Sequence, residues 1–221
     1  MRFAFAQQPL YAAVSLGTLD SASEATIARE IARATARGLP AEPLIAKVRE
    51  GRLKRAAGTR IQLAVTSLAV RLDSARAALG VGATSAELIA AADALNAGAH
   101  PAALRALRDA AFVRPITVPI GTLAQLIASG VPQQRAVDAI VALLKRRATP
   151  AQLLALGNQV ELDVNSGLRP EESAAFRLRG IEAGSLGDKV TVQGGNAVGA
   201  TPTSGTPTPP RPAAPPPRRT P

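Results

Sequence analysis

Four short strings in this 221-residue chain share one grammar: Gly38-Leu39-Pro40, Gly98-Ala99-His100-Pro101, Gly130-Val131-Pro132 and Gly167-Leu168-Arg169-Pro170. Each stands where one apolar pattern ends and the next begins. Glycine takes the left-handed position that closes a helix, and Pro, Ser or Thr then opens the following one at its cap or first turn. Gly82-Ala83-Thr84-Ser85 and Arg147-Ala148-Thr149-Pro150 read as degenerate copies of the same joint. A chain punctuated in this way folds as a series of short helices with tight turns between them.

The stretches between joints agree. Ile61, Val65, Leu68, Leu72, Ala75 and Leu79 step by four and three residues, which places them on one helical stripe. The same spacing recurs at Leu88, Ala92 and Leu95, at Leu104, Leu107 and Ala111, at Val137, Ile140 and Leu144, and at Leu153, Leu156, Val160 and Val164. Ile27, Ile31 and Ala34 mark an earlier helix, with Ser21 and Glu24 spaced as a capping box. No stretch alternates as a strand does. The expected fold is all-α, with about eight or nine short helices. They form an irregular helical bundle or a short solenoid of helical hairpins, since paired units of 16 to 20 residues approach the length of helical repeats. The segment 114–121, with Pro115 and Pro119, reads as an extended crossover. The patterns that mark tetratricopeptide and ankyrin repeats are absent.

The boundaries follow from composition. Residues 20–183 read as the helical domain and 184–198 as a polar linker, with a small hairpin pattern around Gly194-Gly195. Residues 199–221 hold nine Pro and read as a disordered Pro/Thr/Arg-rich tail. Residues 1–19 form a separate N-terminal segment. Ala4 and Ala6 there resemble the A-x-A end of a secretory signal whose apolar part is missing, or are a coincidence in a chain with 47 Ala. The signal reading places the protein in the periplasm or outside the cell; the coincidence reading leaves it in the cytoplasm. No apolar run reaches the roughly 18 residues of a membrane span.

Composition narrows the chemistry. With no Cys and one His, the chain has no thiolate nucleophile, no disulfide framework and no multi-histidine metal site. Aromatics at 2% argue against platforms for stacking bases or sugars. His100 stands in a joint and reads as a turn or cap residue rather than a base. Glu161 and Asp163 lie two apart on a helix and point apart; Glu171 and Glu172 open a helix, where acids suit the dipole; Asp73 and Arg76 are spaced as a local pair. Gly80-Val81-Gly82 resembles half of a phosphate loop but follows a helix rather than a strand. No catalytic, cofactor-binding or metal-binding residue is selected, and no cofactor is expected.

The formal net charge of +10 has a different bearing. A basic balance suits polyanions without specifying a fold. Two clusters stand out: Lys47, Arg49, Arg52, Lys54 and Arg55, and then Lys145, Arg146 and Arg147. Segment 122–140 resembles a helix-turn-helix in which Gln133, Gln134 and Arg135 begin the second helix. These nine cations, Arg135 included, are the candidate polyanion contacts. The expected function is therefore a non-catalytic interaction or structural module, with a role in a bacterial cell envelope. Its expected partner is a protein, with an anionic polymer as the next class. The alternative is a nucleic-acid-binding protein using the basic clusters.

Overall fold

The computed structural model describes residues 21–111 and 115–184, all within one compact unit, Met1–Val190. The readings for 1–19, the linker from residue 185 on and the tail 199–221 concern residues outside those described. Among the described residues the chain forms nine α-helices and no strand: α1 (Ser21–Ala36), α2 (Glu42–Leu53), α3 (Gly58–Leu79), α4 (Ser85–Asn96), α5 (Pro101–Ala110), α6 (Thr117–Ala128), α7 (Gln133–Lys145), α8 (Pro150–Asn165) and α9 (Pro170–Glu182). None of them is long and apolar enough to cross a membrane.

One device closes most of these helices. Leu39, Ala56, Ala99, Val131, Ala148 and Leu168 each donate their backbone N–H to the carbonyl five residues back, at 2.9–3.0 Å. The residue before each donor is left-handed, with φ between +51° and +106°. This is the Schellman closure, which occupies carbonyls that the helix end would otherwise leave unpaired. Gly38, Gly98, Gly130 and Gly167 fill the left-handed position as their strings imply, but Arg55 and Arg147 fill it too. The next helix then opens by Pro in its first turn, as in α2, α5, α8 and α9, or by a capping box, Thr84 with Glu87 and Thr149 with Gln152.

Two expectations change. In the joint after α3 the left-handed residue is Gly80 (φ +85°), because α3 runs through Leu79; Gly82 falls in the turn that follows. The expected crossover at 114–121 is shorter, since α6 starts at Thr117 and takes in Pro119 and Gly121. Pro119 is the third helical residue, where its missing N–H had no intrahelical acceptor to lose.

Packing decides between bundle and solenoid. Helices two apart in sequence lie side by side: α4 on α6 and α6 on α8 in one layer, α1 on α3, α3 on α5, α5 on α7 and α7 on α9 in the other. Between consecutive helices α2 packs on α3, α3 on α4, α6 on α7 and α8 on α9, whereas α4 and α5 share little contact. Each helix therefore packs on helices no more than two places away in sequence, the arrangement of a short solenoid.

The joints fall on two rims. On rim A, where odd-numbered helices end, Arg37 pairs with Asp73 (Nη2–Oδ2 2.8 Å), Arg76 donates to the Gly38 carbonyl (2.9 Å) and Arg108 to the Ala78 carbonyl (2.7 Å). Asp73 thus pairs across helices rather than with Arg76, because the end of α3 faces the α1–α2 joint. On rim B, where even-numbered helices end, the His100 N–H donates to Gln133 Oε1 (2.8 Å) and Arg135 pairs with Glu171 (3.6 Å).

The apolar stripes meet between the layers. Ile61, Val65, Leu72, Leu79, Leu104, Leu107, Ile120, Leu123, Ile140, Leu156 and Val160 are buried in one continuous core. Ala69, Ala75, Ala91 and Ala94 are buried in the same core, and Gly51 lets α2 sit against α3: a Cβ there would lie 2.6 Å from Ile61 Cγ1. Leu72→Ala is expected to cost about 2–5 kcal/mol in urea unfolding of the full chain. Leu63→Ala is the matched control: Leu63 is on the same helix but 70% exposed, and its loss should stay within about 0.5 kcal/mol.

Candidate functional site

The first basic cluster is on rim B, around the end of α2. Lys47 and Lys54 both bind Glu50, at 2.7 and 2.5 Å. The Lys47 hydrogen bond, helped by that of Lys54, holds the Glu50 carboxyl at about 2. The carboxylate is therefore ionised and offsets part of the cluster. Arg49 is exposed, Arg52 half-buried, and Arg55 sits in the left-handed closure of α2. The second cluster, Lys145, Arg146 and Arg147, is on rim A at the end of α7, where Arg146 pairs with Glu182 (3.6 Å). Arg135 is at the opposite end of that helix, roughly 15 Å from Lys145 at 1.5 Å per residue. The nine candidate cations thus stand at both ends of the helices, and Arg135, Lys47, Lys54 and Arg146 each have a carboxylate partner.

Segment 122–140 forms the end of α6, a turn and the start of α7, but the two helices belong to different layers. α7 packs on both α5 and α9, Gln134 donates to Asp138 (2.9 Å), and the exposed start of α7 thus carries an acid beside Arg135. His100 is the cap of α5; its backbone N–H, not its ring, makes the contact with Gln133. Gly80 and Gly82 lie in a helix–helix turn.

The acids also have structural partners. Glu87 is fully buried: Oε2 accepts the Thr84 N–H (2.8 Å) and Oε1 accepts the Ile116 N–H (3.0 Å), tying the start of α4 to the start of α6. Asp163 accepts two hydrogen bonds from Arg177, at 2.7 and 2.5 Å, and one from Ser173, at 2.6 Å. The Arg177 bond chiefly holds the Asp163 carboxyl at about 2 against the opposing effect of burial, and the same bond raises Arg177. Glu161 turns away from Asp163 and accepts from Gln125 of α6 (2.6 Å). Among the described residues no three His, Asp or Glu side chains gather as a metal site.

A groove of about 790 Å³ built of described residues lies on rim A, between the starts of α6 and α8 and over the end of α7. Val118, Pro119, Leu144, Pro150 and Leu153 give it an apolar lining, and Arg147 stands in the wall. Two hydroxyls reach it, on Thr117 and Thr149; the Thr149 oxygen already accepts the Gln152 N–H (3.2 Å). Sequence reasoning selected Arg147 as a cation but missed the groove. Its residues come from three segments and carry no motif, and only the side-by-side packing of α6 and α8 brings them together. No family model, curated protein or solved structure matches the chain.

Two predictions follow from this geometry. Asp163 is lowered in the folded state, so its contribution is complete above the usual carboxylate range near pH 4 and is lost as pH falls toward about 2. Asp163→Ala should remove it at neutral pH, at about 1.5–3 kcal/mol, and flatten the acid limb of a stability-against-pH curve. Arg55→Gly should stabilise the chain by about 0.5–1 kcal/mol in urea, because the roughly 1–2 kcal/mol cost of a left-handed Cβ exceeds the entropic penalty of glycine.

Proposed function

We propose that this protein is a non-catalytic interaction module that holds an extended segment of another protein in the rim-A groove. The observation that carries the reading is the groove itself. Its volume of about 790 Å³ is in the range of built ligand sites. Its lining holds no carboxylate, no imidazole and no nucleophile–base pair, so it can bind apolar side chains but has no group to transform them. The cations beside it specify the occupant further. Arg147 lines the groove, and Lys145 and Arg146 are exposed next to it. The complementary segment is apolar with Asp or Glu at its flank, which also keeps basic segments out.

The test is selection of peptides from a random library on the full chain, followed by measured affinities. The expected result is enrichment of apolar peptides flanked by acids, with Arg147→Glu weakening binding about tenfold or more while leaving the circular dichroism unchanged. Enrichment of basic peptides, or affinities indifferent to both Arg147→Glu and Leu144→Asp, overturns the reading. Duplex DNA offered in parallel separates the nucleic-acid alternative: salt-sensitive retention that survives Arg147→Glu and is lost when Lys54 and Arg55 are both replaced by Glu would favour it.

A further inference from the structure

Helices α2 and α4 both pack on α3 but share little contact with each other, whereas α4 and α6, and α6 and α8, lie side by side. The gap between α2 and α4 is a cleft of about 270 Å³. Leu68, Arg71 and Leu72 of α3 form its floor, Lys47 and Glu50 line it from α2, and Asp93 lines it from α4.

One atom in this cleft departs from the rest of the molecule. The Arg71 Nε–H is shielded from solvent and has no hydrogen-bond partner, the one buried side-chain nitrogen or oxygen among the described residues of which that is true. An unpaired buried donor is costly, and more so on a charged group. Arg71 Nη1 donates to Ser67 Oγ (2.8 Å), one turn back on α3. That bond fixes the guanidinium and leaves its Nε–Nη2 edge for another acceptor. The same edge of Arg177 shows what it takes. Arg177 Nε donates to Asp163 Oδ2 (2.7 Å) and Nη2 to Oδ1 (2.5 Å), the side-on fork by which a guanidinium holds a carboxylate. Neither acid of the cleft serves Arg71 in this way. Glu50 is held by Lys47 and Lys54, and Asp93 forms no ion pair among the described residues.

Charge and shape narrow the acceptor. Lys47, Lys54 and Arg71 stand against the ionised Glu50 and Asp93, which leaves one positive charge to balance. A monoanion suits that balance, and Asp93 opposes a phosphate or a polyanion. The remaining lining, Pro43, Ala46, Leu68, Leu72, Ile89 and Ala92, is aliphatic. The cleft holds roughly nine times the share of liquid volume that one water takes, enough for a body of about ten non-hydrogen atoms.

We infer that the α2–α4 cleft binds a small aliphatic monocarboxylate, with its carboxylate on the Nε–Nη2 edge of Arg71 and its chain against Leu68, Leu72 and Ile89. The cleft shares no residue with the rim-A groove, so it stands or falls separately from the proposed function.

The test is a titration of the isotope-labelled full chain, read at the arginine Nε–H resonances, with the Arg71 signal assigned by its loss in Arg71→Lys. Sodium hexanoate should shift that signal saturably, with half-saturation at about 1 mM or below, and leave those of exposed arginines in place. Hexanamide, which keeps the chain and loses the charge, should not move it. Arg71→Lys keeps a charge but not the fork. It should weaken hexanoate binding about tenfold, read at the backbone amides of Leu68 and Ile89, with unchanged circular dichroism. Asp93→Asn should tighten hexanoate about threefold and admit inorganic phosphate, which the wild type excludes. An Arg71 signal that stays put up to about 20 mM hexanoate, or that moves equally with hexanamide, overturns the site. Phosphate that binds the wild type as tightly as hexanoate overturns the choice of a monocarboxylate, and affinity unchanged in Arg71→Lys overturns the role of the fork.

Discussion

The closure of six of the nine described helices by a left-handed residue and a hydrogen bond five residues back sets much of the rest of this structure. A helix that ends in this way changes direction within about four residues, and the next one either packs beside it, as α3 does on α2, α7 on α6 and α9 on α8, or crosses to pack on a helix further along, as α5 does on α7. Repetition of that turn at both rims produces alternating helices in two layers. The residue after the left-handed one is carried back over the helix end it has just left, and Leu39, Ala99 and Val131 are buried there. These three turns therefore satisfy the carbonyls of one helix and contribute an apolar contact to the core. A Gly98→Ala change would act at such a point, since φ there is +106°.

Much of this was legible because it is local. Gly followed by Pro states a closure and an opening within four residues, and steps of three and four state which face is buried. What was not legible depends on distant partners. The spacing of Thr84 and Glu87 shows a capping box, but the second Glu87 oxygen binds Ile116, 29 residues away. Asp73 has Arg76 one turn along its own helix, yet it binds Arg37 because the α1–α2 joint lies against the end of α3. The groove was the least legible feature. Valine and proline at 118 and 119 look like ordinary helix-opening residues until α8 is placed beside them.

The net charge of +10 also resolves by position. Basic residues cluster at helix ends, where they suit the dipole, and antiparallel packing sends successive ends to opposite rims. The same alternation makes Arg135 and Arg146 brackets along α7, each meeting an acid of α9, Glu171 and Glu182. Exposed pairs of this kind contribute at most about 1 kcal/mol each. They set the register of α9 against α7 more than they stabilise it.

Arg55 and Arg147 connect the architecture to the chemistry. The left-handed position at a helix end suits glycine, and the chain uses glycine at its other five such turns within Gly38 to Gly167. Arginine at the remaining two costs roughly 1–2 kcal/mol in backbone terms, while the closure's hydrogen bonds come from its own and the following backbone N–H, which glycine would supply equally. At 147 there is a compensating consequence. The left-handed turn makes the α7–α8 joint tight enough to bring Pro150 and Leu153 up to Leu144, and the side chain at its apex stands in the wall of the resulting groove. A glycine would close the helix equally well and leave the groove without charge. One of the two residues that depart from the rule of the joints is thus also the charged residue in the groove's lining.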